Sequence, residues 1–123
     1  MSSLANPISD ADWKGVERNY AGVPEVNSEW LAANQQAVRL VDVREPMELA
    51  GPLRRIEGCE NIPLQSLAGA VGDWNRDEAV VLICRSGARS ASAAMAMESL
   101  QFKKVASLRG GMMDWNQQGL PTV

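Results

Sequence analysis

The amino-acid sequence predicts an α/β domain with a mostly parallel sheet covered by helices on both faces. Two observations carry that expectation. Short β-branched and apolar runs (Val38–Val43, Ala79–Ile83, Lys104–Leu108) alternate with segments of helical periodicity. A strand–helix–strand order also demands crossovers, which run right-handed and lay the helices against the sheet. With 123 residues the chain has room for one core and not for two.

The elements are predicted in chain order. A short helix is expected at Asp10–Trp13, with Trp13 and Tyr20 packing back on the domain. Residues 1–21 are read as an N-terminal extension and residues 22–123 as the domain proper, the boundary lying at Ala21-Gly22. Asn27 or Ser28 can cap a helix through Glu29–Ala33, because either side-chain oxygen can accept an amide of the first turn. Val38–Val43 then reads as a buried strand. Pro46, with its fixed φ and missing N–H, suits the first position of a brief helix reaching Leu49. Gly51-Pro52 and Gly58 punctuate an irregular stretch holding one short strand at Glu60–Ile62. Leu64, Leu67, Ala68, Val71 and Trp74 recur at helical spacing, and Asn75-Arg76-Asp77 ends that helix before the strand Ala79–Ile83. A helix from Ser90 to Leu100, a strand at Lys104–Leu108 and a helix from Met112 to Gln118 complete the chain.

Charge and composition exclude several classes. A net charge of -3 and a pI near 4.9 argue against nucleic-acid binding, which needs a surplus of Lys and Arg. No apolar run approaches the ~20 residues of a membrane span. The first residues, MSSLANPISD, lack the basic start and apolar centre of a signal peptide, so a cytoplasmic location is expected. The chain has no histidine and two cysteines, Cys59 and Cys84. Cys-His and Ser-His nucleophile pairs are therefore excluded, as are His-containing metal sites, and no cofactor is expected.

The chemistry concentrates at AVVLICRSGARSASAAM, residues 79–95. A strand delivers Cys84, and within a few residues the chain enters a helix. Parallel sheets form their ligand sites at the carboxyl ends of strands, and both Cys84 and Asp42 stand at such ends. The loop amides and the helix N-terminus favour negative charge on the sulfur, and Arg85 and Arg89 add to it. Gly87 gives the turn its backbone freedom. Ser86 and Ser90 can hydrogen-bond within the loop and at the helix start. A cysteine after an apolar strand is usually core, but a core cysteine gains nothing from two arginines and a glycine turn.

Four landmarks in order, LVDVREPMEL, ENIPL, CRSGARS and LRGGMMDWNQQGLPTV, resemble those of single-domain rhodaneses, the sulfurtransferase family, over residues 22–123. The resemblance implies a parallel five-stranded sheet flanked by helices. It also implies that a Cys84 thiolate takes sulfane sulfur from thiosulfate, becomes a persulfide and passes the sulfur to a thiophile: cyanide in vitro, a small thiol or a protein thiol in the cell. The loop from Arg85 through Ser86, Gly87, Ala88 and Arg89 to Ser90 would bind the donor and the persulfide. Asp42 and Arg44 match the family's Asp-x-Arg, which braces that loop; an ordinary strand-end surface ion pair is the alternative. Related phosphatases place five residues between nucleophile and arginine, whereas four separate Cys84 from Arg89. By the resemblance, a loop of this size encloses a single sulfur atom, whereas a phosphoryl group needs the longer ring of donors. A non-catalytic binding module and a persulfide relay for a partner protein are the competing readings.

The chain departs from the family at LRRIEGCENIP, where a His-Ile-Pro-Gly-Ala pattern is common. There Cys59 is expected to be packed, with a resolving thiol as the minority role, and Arg54 and Arg55 to line the mouth of the site. Gly110, Gly111 and Trp115 are read as a structural turn and a helix anchor.

Overall fold

The computed structural model describes residue 13 and residues 15–123. The start of the helix expected at Asp10–Trp13 lies outside them. Trp13 packs on the core and meets the Trp30 ring edge-on at 5.8 Å. Tyr20 does not pack back as expected; it is fully exposed on a turn.

Among the described residues the sheet has six strands: β1 (Glu17–Arg18), β2 (Pro24–Val26), β3 (Arg39–Asp42), β4 (Glu60–Asn61), β5 (Ala79–Ile83) and β6 (Lys104–Leu108). Their order is β1-β2-β6-β5-β3-β4. Every pair from β2 to β4 is parallel, and β1 adds an antiparallel edge on β2. The expected five-stranded parallel sheet is thus present inside a mixed sheet of six. At two and three residues, β1 and β2 are too short to display a period of two, so no pattern in the sequence announces them.

Among the described residues, five helices accompany the sheet: α1 (Ser28–Asn34), α2 (Pro46–Leu49), α3 (Leu67–Ala70), α4 (Ala88–Ser99) and α5 (Gly111–Gln117). Asn27 is the cap of α1, its Oδ1 accepting the Trp30 amide at 2.7 Å, which leaves Ser28 to donate to Asp114 across the fold. The helix expected from Leu64 to Trp74 is much shorter. A 3-10 turn at Leu64–Ser66 leads into the single turn of α3, and Gly69 and Gly72, poor helix formers, keep it from extending.

Alternation along β5 separates the core into two layers. Ala79, Val81 and Ile83 join Leu31, Met112 and Trp115 on the α1/α5 side. Val80, Leu82 and Cys84 join Ala93, Ala94 and Met97 on the α4 side. Small residues along α4 let it lie close to the sheet. No described helix is long and apolar enough to cross a membrane.

Candidate active site

The buried strand β5 delivers Cys84 to the carboxyl edge of the parallel sheet, where such folds carry their sites. Residues 84–87 then turn into α4, whose N-cap is Gly87 with φ 113°, a conformation open essentially to glycine alone. The turn folds back over the sulfur. The Gly87 N–H donates to Cys84 Sγ at 3.1 Å and the Ser90 N–H at 3.3 Å. The amides of Arg85, Ser86, Ala88 and Arg89 meet no acceptor among the described residues, so the loop keeps four more donors for a bound anion. Cys84 itself is only 1% exposed.

The start of α5 supports the loop from below. Met112 and Met113 donate their N–H groups to the carbonyls of Cys84 and Arg85 at 2.9 and 3.0 Å. Gly111 makes that approach feasible. A Cβ there would overlap the Cys84 carbonyl oxygen and lie 2.6 Å from the Arg85 carbonyl group. Gly111 therefore shapes the sulfur loop, a larger part than the structural turn expected of it. Trp115 is a buried anchor, as expected, and donates its indole N–H to the Pro121 carbonyl at 2.9 Å.

The two loop arginines differ. Arg89 grips Glu48 of α2 with both guanidinium nitrogens, at 2.7 and 2.9 Å. The hydrogen bonds from Arg89 hold the Glu48 carboxyl down at about 2, and Glu48 in turn holds the Arg89 guanidinium above its ordinary value. The charge of Arg89 is thus largely committed to positioning. Arg85 is exposed and has no ion-pair partner among the described residues. Glu48 carried no signal in the sequence; only the tertiary fold brings it to Arg89. The Ser86 and Ala88 side chains are exposed.

Asp42 and Arg44 form a fully buried pair, 0% and 1% exposed, which removes the surface ion-pair alternative. Arg44 Nε and Nη2 both reach the Asp42 carboxylate, the shortest contact being 2.7 Å. Arg44 also donates to the carbonyls of Glu48 and Arg54 at 3.3 and 2.7 Å. The bracing differs from the expectation. The pair ties down the segment that carries Glu48, and Glu48 holds the loop through Arg89; neither side chain bonds residues 85–90 directly. Arg54 and Arg55 are exposed, and Arg54 adopts φ 56°. Cys59 and Cys84 are both free thiols. Cys59 is half-buried on the α1/α5 side, where burial raises its thiol above the ordinary range, and Cys84 lies in the opposite layer.

A family model described as Rhodanese-like domain matches residues 27–118. A protein named sulfurtransferase from Allochromatium vinosum is 36% identical over 104 residues, covering 82% of this chain and 95% of its own length. The putative sulfur carrier protein YrkF of Bacillus subtilis is 32% identical, and the match covers 79% of this chain and 53% of that longer protein. Among solved structures, a rhodanese-related protein from Thermoplasma volcanium superposes with a TM-score of 0.73 at 33% identity, covering 80% of this chain and 96% of the other. Fold, loop and relatives agree: the chain belongs to the rhodanese-like domain family.

Proposed function

We propose that the protein is a sulfurtransferase that carries sulfane sulfur on Cys84, taking it from thiosulfate and giving it to a thiophilic acceptor. The observation that carries this reading is a deeply seated sulfur that accepts two loop amides, in a loop with four further amides unpaired among the described residues. The Cys84 thiolate attacks the outer sulfur of thiosulfate, an S–S bond forms, the donor's S–S bond breaks, and sulfite leaves with the bonding pair. The persulfide's terminal sulfur then occupies the cradle, where the amides of Arg85, Ser86, Ala88 and Arg89 meet its negative charge. An acceptor thiolate attacks that sulfur and Cys84 departs as thiolate, so atoms and charge balance over the cycle. Arg85 draws in the dianion, while Arg89, held by Glu48, fixes the shape of the loop. The four residues between Cys84 and Arg89 suit a single sulfur atom.

Intact-mass spectrometry of the reduced protein after thiosulfate tests the carrier role. The wild type should gain the mass of one sulfur, reversed by cyanide or excess thiol, and Cys84→Ser should gain none while keeping its fold. A sulfur retained in Cys84→Ser overturns the assignment. Failure of the wild type to load directs the search to other persulfide donors.

A further inference from the structure

Behind Cys84 lies a pair of hydroxyl groups that the mechanism above does not use. Ser90 is wholly buried and Ser107, on β6, is 1% exposed. Their hydroxyl oxygens are 2.7 Å apart. Ser90 Oγ is also 3.4 Å from Cys84 Sγ, which donates to it as a thiol, and 3.2 Å from the Gly87 carbonyl. Ser90 has one hydroxyl hydrogen for these three neighbours. With a thiol at Cys84, S–H donates to Ser90 and Ser90 donates onward to the Gly87 carbonyl or to Ser107. With an anionic sulfur the S–H donor is gone and the sulfur needs donors itself. Ser90 can then turn its O–H to the sulfur, provided another group donates to Ser90 Oγ. Ser107 is the group in position, and its hydroxyl has no other partner among the described residues. The Gly87 carbonyl tolerates the loss, because it also accepts the Ala91 amide at 3.0 Å.

We propose that Ser107 is a positioning residue for Cys84: its hydroxyl, acting through Ser90, lets Ser90 donate a hydrogen bond to the sulfur whenever the sulfur is anionic. No proton passes between the three groups; the two hydroxyls rotate, and the thiol proton leaves to solvent. The inference deepens the sulfur-carrier reading, since both the thiolate and the persulfide are anions, but its test does not depend on sulfur transfer.

The test compares Ser107→Thr with Ser107→Val, which share shape and differ in the hydroxyl, so any cost of the added methyl is common to both. The readout is the rate of alkylation by iodoacetamide across pH, in a Cys59→Ala background so that one thiol reports. The Val variant should react about three-fold more slowly than the Thr variant on the acid limb, its midpoint lying about half a pH unit higher. Ser107→Ala should shift in the same direction relative to the parent, and in a Ser90→Ala background it should add nothing further. The charged groups on the loop and on the elements flanking it are Arg85, Arg89 with Glu48, Asp42 at the end of β3 with Arg44, Arg109 after β6 with Glu25, and Asp114 on α5; none is altered. Equal profiles for Thr and Val, or a shift that persists without Ser90, overturn the proposal. If loading fails with thiosulfate and with other persulfide donors while the alkylation profile moves as expected, the carrier reading falls and the role of Ser107 stands.

Discussion

At the scale of single residues, the closest constraint is the contact between Gly111 and the sulfur loop. Replacing its hydrogen with a methyl group drives a carbon into the backbone of Cys84 and Arg85, which no side-chain rotation can relieve. Gly111→Ala should cost about 2 kcal/mol or more in chemical denaturation and should lower the rate at which Cys84 loads sulfur. Unchanged loading would mean that the loop does not need the support of α5. The sequence announced the loop itself, because Cys84, Gly87 and Arg89 fall within one short segment whose turn chemistry is local. It could not announce Glu48 or Ser107. Glu48 meets Arg89 from 41 residues away and Ser107 meets Ser90 from 17, distances that only the closed sheet spans.

At the scale of elements, α2 shows how a short helix can hold a catalytic-type loop. Its capping box joins Glu45 and Glu48, and Glu48 Oε1 accepts both the Glu45 amide at 2.9 Å and Arg89 at 2.7 Å. Because the Glu48 carboxyl titrates near 2 in the folded chain, below its ordinary 4.5, the pair's contribution is complete above pH 4.5 and falls away as the pH drops toward 2. The stability difference between wild type and Glu48→Gln should therefore be flat above pH 4.5 and shrink below it. Partial exposure keeps it below about 1 kcal/mol at its largest. Loading of Cys84 should slow in the variant, since Arg89 loses its anchor; an unchanged rate would limit Glu48 to a structural part. The long strands β5 and β6 were legible to the residue, being apolar and bounded by turn residues. Strands β1 and β2 were not, because pairing with distant neighbours, rather than their own composition, makes them strands.

At the scale of the whole molecule, the buried pair Asp42–Arg44 joins the end of β3 to the segment from Glu48 to Arg54. Arg44→Ala would leave a carboxylate in the interior without its cation and release two carbonyls, at a cost of about 3–5 kcal/mol. A urea midpoint lowered with an unchanged slope would show this, and a loss below about 1 kcal/mol would mean that water replaces the guanidinium. The Asp-x-Arg spacing was visible in the sequence, but its burial and its carbonyl partners were not, because they depend on how the 44–54 segment wraps. The layering of the core bears on oxidation as well. With Cys59 in one layer and Cys84 in the other, the sheet stands between the two thiols, and they cannot approach to the separation a disulfide requires while it is intact. A sulfenic acid formed at Cys84 therefore has no internal thiol to condense with, and its repair depends on a reductant small enough to enter the loop.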